Sequence, residues 1–588
     1  MSYRTRPLDF FVTVIAAILV FVLSAFGGTA NGTARADDTP LRTIDDIRIT
    51  VSPDALPGGC LPASRTHEPQ SLEKLLNERP HSLTSQDVVQ FQTAGGDWRV
   101  DVRPVTVTAE AALIAWCEDG DLRALQLAIN HADWLVENAR LYDGFATWTI
   151  DEARPPMFVP AGWTGAIFDG RGMIVLLQVY ALTHDSKYGD MAAMVSRAFS
   201  FPVSEGGLVR SQGEGRGVFF EEAAHLDAPP GQILNGDMLA IEMLAYYADH
   251  SGDAQAARMV DEGILGVRSR LVDYDASTIA LYSLGPIRWG SARTHYAHGI
   301  HIHELFWMYS RTGDPVFLEW ALRWQRYMWP ALPASLYYDD VSDETFRFAN
   351  VDAERHMDVP VSARSLILDL YAPVTVRSFG YSMVGPYPAD FTIDVSLDAK
   401  TWETVTQISN ADQQHGSYFL GDVNTRYIRM SLDRMAEYDN PYYYGYADGF
   451  YRDRLMLGVL RVDGRDYWEK PVLLLTEGDV VILRTERLQD SRAETGLAVP
   501  ANAVLYGDLR EPGQIAAINF DARDDSGERR LWLEASVDLS VWTPLASEGD
   551  LRGMSVLGSE VDYRYFRLRL EGSEPLFLTQ VTVEKAAG

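Results

Sequence analysis

Tyr309-Ser-Arg-Thr-Gly-Asp-Pro-Val-Phe317 closes one apolar helical pattern and opens another within a few residues. The turn falls at Gly313. Asp314 can cap the second helix, and Pro315 takes a first-turn position where its missing N–H costs nothing. The same phrase occurs at Trp116-Cys-Glu-Asp-Gly-Asp-Leu-Arg-Ala-Leu125, at Tyr180-Ala-Leu-Thr-His-Asp-Ser-Lys-Tyr188 and at Tyr247-Ala-Asp-His-Ser-Gly-Asp-Ala254. A spacing of roughly 60 to 65 residues allows two helices and their connections per unit. Hairpins that each bury one face against the next can close into an α/α toroid, with a central cavity lined by helix N-termini and loops. Residues 105–335 are therefore expected to form such a toroid, preceded by a β/loop region at 37–104.

Beyond about residue 335 the pattern becomes alternating and turn-rich, as in antiparallel strands. Phe391-Thr-Ile-Asp-Val-Ser-Leu-Asp-Ala-Lys-Thr-Trp402 is followed by Thr425-Arg-Tyr-Ile-Arg-Met430. Leu531-Trp-Leu-Glu-Ala-Ser-Val-Asp-Leu-Ser-Val-Trp542 is followed by Tyr563-Arg-Tyr-Phe-Arg-Leu568. Ser, Asp and Trp keep the same offsets in both copies. The pattern resembles the discoidin (coagulation factor type C) sandwich, in which a strand, a Ser-x-Asp turn and a core Trp lead to a late Arg-Tyr strand. It implies a multidomain chain ending in two antiparallel β-sandwich, jelly-roll modules at 340–465 and 466–588. Such modules bind sugars or act as spacers. The Tyr-rich stretch Tyr438 to Tyr451 can stack on sugar rings or pack on the helical domain.

The formal net charge of −31 favours solubility and argues against nucleic acid or an anionic membrane surface as the partner. Arg4 and Arg6, an apolar run from Phe10 to Phe26 and Ala34-Arg-Ala36 read as an export signal over 1–36, or as an N-terminal membrane tether. The expected location is extracytoplasmic, periplasmic or secreted. There Cys60 and Cys117, the only two cysteines, can pair; the sequence leaves the bridge open, and the oligomeric state too, a dimer included.

Gly217-Val-Phe-Phe-Glu-Glu222 places two adjacent carboxylates after an aromatic strand, and Ile233-Leu-Asn-Gly236 then opens an apolar helix. Strand neighbours point to opposite faces, so one of Glu221 and Glu222 can face a cavity while the other is solvated or paired. These segments, with Trp163-Thr-Gly-Ala-Ile-Phe-Asp-Gly-Arg-Gly172, Leu271-Val-Asp-Tyr-Asp275, Tyr282-Ser-Leu284 and His298-Gly-Ile-His301-Ile302, resemble the C-terminal domain of the D-glucuronyl C5-epimerases over roughly residues 140 to 330. The chain departs from that family at Ala223 and Ala297, where the family has Tyr. Asp169 and Arg171 replace its two Gln.

The resemblance implies proton removal and return at C5 of a uronate in an acidic polysaccharide. That chemistry needs a base on one face, an acid on the other and donors for the carboxylate. Glu222 is the candidate base and Glu221 its support. Tyr274, Tyr282 and Tyr296 are the available phenols, and His298 and His301 the available imidazoles. Arg171, Arg210, Arg216, Arg288 and Arg293 are candidate carboxylate clamps. Asp169, Asn235 and Trp163 complete the substrate-side set, with Asn235 expected to cap its helix and Trp148 and Phe145 beside Trp163 as stacking wall or core. No cofactor is expected. His298 and His301 share a helix face while His303 points elsewhere, and nothing supplies the remaining ligands of a metal site. The competing readings are a lyase or hydrolase on the same scaffold and a non-catalytic carbohydrate-binding protein.

Overall fold

The computed structural model describes residues 42–586, except 65–70, 78–79, 94–95, 155–156, 286–298, 340–346, 350–356, 361, 385, 437–453, 493, 524–528, 548–560 and 573–574. The export signal, Arg288, Arg293, Tyr296, His298 and the Tyr438–Tyr451 stretch lie outside the described residues. The chain divides into two compact units, residues 1–270 and 271–588.

The first unit begins with helix α1 (Leu72–Asn77) and a three-stranded antiparallel sheet of β1 (His81–Leu83), β2 (Val89–Gln92) and β3 (Trp98–Arg99). Three helical hairpins follow: α2 (Val102–Asp119) with α3 (Leu122–Glu137), α4 (Ala166–Thr183) with α5 (Ser186–Ala198), and α6 (Leu234–Ser251) with α7 (Ala254–Arg270), with the strand pair β4 (Arg140–Leu141) and β5 (Ala146–Thr147) after the first and β6 (Val209–Ser211) and β7 (Val218–Phe220) after the second. The recurring phrase is the hairpin turn. Each first helix ends on a residue with left-handed backbone, Gly120, His184 or Gly252. The next residue, Asp121, Asp185 or Asp253, then accepts hydrogen bonds from N–H groups of the following helix. The stop and the cap are thus adjacent residues.

Helices α2, α4 and α6 pack side by side, and each is backed by its hairpin partner. The inner helices α4 and α6 are buried nearly all round. Helix α4 is long and apolar enough to cross a membrane, yet most of it is covered by protein, as in a core helix. Cys60 and Cys117 form a disulfide that fastens the N-terminal segment to the end of α2. His131 on α3 joins the small sheet to the helices: one ring nitrogen contacts the Leu127 carbonyl at 2.7 Å and Nε2 accepts from Val89 N–H at 3.2 Å. Burial lowers its pKa to about 4, so the ring is neutral.

The second unit opens with a fourth hairpin, α8 (Gly299–Thr312) and α9 (Pro315–Gln325), built on the same turn, with Gly313 left-handed and Asp314 capping α9. The rest is sheet. The first β-region contains β8 (Ser335–Tyr338), β9 (Arg347–Ala349), β10 (Met357–Pro360), β11 (Ser365–Val384), β12 (Tyr387–Ser396), β13 (Glu403–Ile408), β14 (His415–Ala436) and β15 (Arg454–Gly464). A linker helix α10 (Arg465–Glu469) leads to β16 (Val472–Glu477), β17 (Val480–Ile482), β18 (Leu497–Val499), β19 (Ala503–Gly513), β20 (Ile515–Arg523), β21 (Arg529–Ser536), β22 (Thr543–Ser547), β23 (Tyr563–Gly572) and β24 (Leu576–Lys585).

The two β-regions share one strand order. The path β9-β8-β11-β14-β12-β13 of the first is β17-β16-β19-β23-β21-β22 in the second, and β10-β15-β11 matches β18-β24-β20. In the first region β11 pairs with β8 through its early residues and with β15 through its late ones, across a register shift after Asp369. In the second the equivalent strand is interrupted at Gln514, giving β19 and β20. Each region has one apolar core, with Leu366, Phe379 and Ile428 in the first and Leu505, Ile518 and Phe566 in the second.

The repeated Ser-x-Asp is a turn lock. Ser396 Oγ accepts from the N–H groups of Asp398 and Ala399, and Ser536 Oγ from those of Asp538 and Leu539. The paired Trp residues are not core residues. Trp402 and Trp542 are half-buried beneath Arg429 and Arg567, whose guanidinium carbons stand 4.3 and 4.4 Å from the ring centres. A flat cation over an indole stabilises an outer strand face without needing an interior.

Candidate functional site

Strand β7 (Val218–Phe220) pairs with β6 (Val209–Ser211) and stops before the glutamates. Strand alternation therefore does not govern them: both are buried and both are paired, so of the two settings left open for the second glutamate, solvated or paired, the structure shows the paired one. The segment after β7 zips onto Trp163–Ala166. Thr164 and Ala224 exchange N–H···O bonds at 3.0 and 2.7 Å, and Ala166 N–H donates to the Glu221 carbonyl at 3.0 Å. Gly165 is required there, because a Cβ would stand 2.3 Å from the Glu222 carbonyl oxygen.

Glu221 is fully buried. Its Oε1 accepts from Arg210 Nε at 3.0 Å, and its Oε2 from the backbone N–H groups of Gly231 and Gln232 at 3.1 and 3.2 Å. Burial pushes its pKa up while Arg210 and the two amides pull it back, leaving it at about 7. Glu222 has a sparser set of partners. Its Oε1 pairs with Arg154 Nη1 at 3.1 Å. Its Oε2 lies against the backbone of α6, so close that a Cβ on Gly236 would fall 2.6 Å from it. An anion at the first turn of a helix is favoured by the exposed N–H groups there. Arg154 is itself held over the Trp163 ring at 5.2 Å.

Asp237 follows Gly236 on α6 and is fully buried. Its Oδ1 accepts from Phe220 N–H at 2.7 Å, while its Oδ2 has no hydrogen-bond partner among the described residues. Burial holds its carboxyl well above the usual carboxylate range, with the nearby Glu221 charge adding to the effect. Asn235 is not the cap of α6: Ile233 holds that position. The apolar helix starts one turn-residue early, so Asn235 lies inside the first turn with its Oδ1 buried and without a donor among the described residues.

The other expected residues are placed as follows. Asp169, in the first turn of α4, accepts from Thr164 Oγ1 at 2.7 Å and Trp148 N–H at 3.1 Å, and burial raises its pKa to about 7. Arg171 pairs with Glu110 of α2 at 3.3 Å in the interior. Trp163 is buried and donates from its ring N–H to the Glu152 carbonyl at 2.7 Å; Trp148 and Phe145 are also core residues. Arg216 is exposed on a glycine-rich turn.

In the second unit Tyr274 is fully buried and Tyr282 half-buried. His301 is fully buried beside Trp324, and its two ring nitrogens have no hydrogen-bond partner among the described residues. Burial alone lowers its pKa to about 3, so the ring is neutral. His303 Nδ1 accepts from Val481 N–H at 3.3 Å.

Arg154, Gly236 and Asp237 escape the sequence reading. Arg154 sits in a Pro-flanked loop with no periodicity, and its ion pair with Glu222 spans many intervening residues. Asp237 could have been flagged by its place after Asn235-Gly236 at the start of an apolar helix.

The site thus holds a buried carboxylate on a helix first turn, one Arg on it, and further acids around it. Residues 143–326 match the family model described as the D-glucuronyl C5-epimerase C-terminus. The matched span contains Arg154, Glu221, Glu222, Asp237 and His301. A D-glucuronyl C5-epimerase of Caenorhabditis elegans is 28% identical over 219 residues, covering 33% of this chain and 34% of that protein. An uncharacterized protein of Methanocaldococcus jannaschii is 26% identical over 181 residues, covering 31% of this chain and 58% of that one. The chain thus spans less than two thirds of either relative. Similar solved structures include a chitosan-binding module from a Paenibacillus chitosanase/glucanase (TM-score 0.18, 17% identity, 23% of this chain and 96% of that one) and a fucolectin from striped bass serum (TM-score 0.17, 14% identity, 38% and 82%).

Proposed function

We propose that this chain is a uronate C5-epimerase acting on an acidic polysaccharide, of the glucuronate-to-iduronate type. The observation that carries the reading is Glu222: a buried carboxylate, ion-paired to Arg154, within the span that matches the epimerase family. In this reading Glu222 takes the C5 proton. The enediolate that forms carries extra negative charge, which Arg154 and the N–H groups at the start of α6 are suited to offset. Glu221, saturated by Arg210 and two amides, braces the loop.

The proton returns on the opposite face from a phenol or imidazole of the set Tyr274, Tyr282, Tyr296, His298 and His301. The four hairpins are read as a toroid and the two β-regions, with their shared strand order, as tandem discoidin-like modules. The Cys60–Cys117 bridge supports an extracytoplasmic setting, where the N-terminal segment would be an export signal or tether.

The test is solvent deuterium incorporation at C5 of a glucuronate-containing polymer. Wild type is expected to exchange, and Glu222→Gln to lose exchange by at least about a thousandfold with its thermal midpoint near wild type. Exchange that survives in Glu222→Gln overturns the base assignment. An unsaturated chromophore in place of exchange overturns the isomerase reading in favour of elimination.

A further inference from the structure

The two sandwiches carry the same ion pair in different surroundings. In the second, Arg564 forks onto Asp508 at 3.1 and 3.3 Å and lies over the Tyr565 ring at 4.7 Å. Its Nη1 reaches Glu319 Oε1 on α9 at 3.3 Å, and Tyr565 OH donates to the same oxygen at 3.5 Å. Two residues beyond Asp508, Arg510 gives its N–H to Asp508 and buries its side chain against Tyr467 and Trp468 of the linker helix.

In the first sandwich Arg426 forks onto Asp369 at 2.9 and 3.1 Å and lies over the Tyr427 ring at 4.8 Å. Two residues beyond Asp369, Tyr371 gives its N–H to Asp369 at 2.8 Å. The local construction is the same, but no second carboxylate meets Arg426 among the described residues. Among the described residues Arg426 pairs only with Asp369, and its Nη1 is without a hydrogen-bond partner. Tyr371 is 56% exposed, with its hydroxyl fixed to Ser335 Oγ at 2.6 Å. Tyr337 stands in the same electrostatic neighbourhood as Asp369, Tyr371, Tyr427 and Arg426.

We propose that Arg426, Tyr427 and Tyr371 form a carboxylate-recognition site on the first sandwich, and that its ligand is a uronate unit of an acidic polysaccharide. The twin supplies the argument: the same Asp–Arg–Tyr arrangement holds a carboxylate there, that of Glu319. Asp369 offsets part of the Arg426 charge, as Asp508 does for Arg564, and the twin still accepts an acid. A fixed, exposed Tyr ring beside the cation gives a flat amphipathic face for a sugar ring, which the twin, filled by Arg510, does not offer. One such site binds weakly; a polymer held at this site and at a second one gains by effective concentration. The site uses none of the residues assigned to proton transfer, and only the choice of uronate over other carboxylates rests on that reading.

The test is calorimetry on the full chain with three probes: a glucuronate oligosaccharide, its carboxyl-reduced neutral form and a Glu-rich peptide. Two variants accompany wild type. Arg426→Gln removes the cation. Tyr371→Asn keeps the Arg426–Asp369 pair and suits the left-handed backbone at that position. The acidic oligosaccharide is expected to bind wild type and to lose about tenfold in affinity in each variant, with the melting temperature of Tyr371→Asn unchanged. The neutral form is expected to bind at least about tenfold more weakly than the acidic one.

Absence of binding by wild type, equal binding by Tyr371→Asn, equal binding of the neutral form, or binding of the peptide alone each overturns the proposal. If Arg426→Gln does not fold, Tyr371→Asn decides. C5 exchange on a short oligosaccharide is expected to persist in Tyr371→Asn. Loss of binding with exchange intact, or of exchange with binding intact, therefore separates this proposal from the isomerase reading.

Discussion

The sandwiches and the helical unit treat their acids in opposite ways. In the sandwiches Asp369, Asp394, Asp508 and Glu534 each meet an Arg on a neighbouring strand, respectively Arg426, Arg429, Arg564 and Arg567. These arginines keep a partly solvated side, and all four also lie over an aromatic ring. In the helical unit Asp169 and Asp237 are fully buried with no basic group in hydrogen-bonding contact among the described residues, and Glu222 has only Arg154. An ion pair whose Arg keeps a solvated side costs less to build and contributes little. A buried acid costs much unless it is neutral or paired. Carboxylates kept in that condition around one loop are what the proposed proton transfer would need.

The sharpest way to break this contrast is Arg154→Ala. It leaves Glu222 as an uncompensated buried charge, with an expected cost of about 3–5 kcal/mol, read by urea unfolding, and loss of C5 exchange. Arg154→Lys is expected to recover stability better than activity, because a point charge replaces the planar guanidinium held over the Trp163 ring.

Asp169 gives the next test. Its folded pKa of about 7 lies above the ordinary value of 3.8. Below 3.8 both folded and unfolded forms are protonated. Between the two values the unfolded chain releases a proton that the folded one keeps, so stability falls as pH rises through that window and then levels off. Asp169→Asn, which retains an acceptor for Trp148 N–H, is expected to flatten the wild-type decline in melting temperature between about pH 4 and 7. An unchanged slope would show that Asp169 is ionised in the folded state.

Gly236→Ala places a methyl 2.6 Å from Glu222 Oε2. The expected cost is about 1–3 kcal/mol in stability, with a larger fractional loss in kcat than in KM if Glu222 is the base. The smallest effect is expected in the sandwiches. Arg567→Met removes the ion pair with Glu534 and the cover over Trp542, and thermal unfolding should show a loss of about 1 kcal/mol. A loss as large as that of Arg154→Ala would erase the distinction between pairs with a solvated Arg and the Arg154–Glu222 pair.

Local signals were legible where a residue acts on its near neighbours. Asp121, Asp185, Asp253 and Asp314 cap helices from the turn they occupy, and Ser396 and Ser536 lock turns within three residues. Asn235 misled because a cap and a first-turn residue differ by only a position or two, and the apolar Ile233-Leu234 start settles which is which. The half-buried setting of Trp402 and Trp542 was not legible either, since the Arg covering each arrives from a later strand.

The sequence by itself determined the helical hairpins, the repeated β-pattern and the acidic loop after Phe220, because capping, periodicity and turn chemistry act over a few residues. Only the tertiary structure decided that both glutamates are buried, that Arg154 is the cation on Glu222, that Cys60 meets Cys117, and that one Asp–Arg–Tyr cluster meets Glu319 while its twin at Arg426 meets no second carboxylate among the described residues. Those outcomes depend on which distant segments share a low-dielectric interior, and burial is a property of the packed chain, not of any stretch of it.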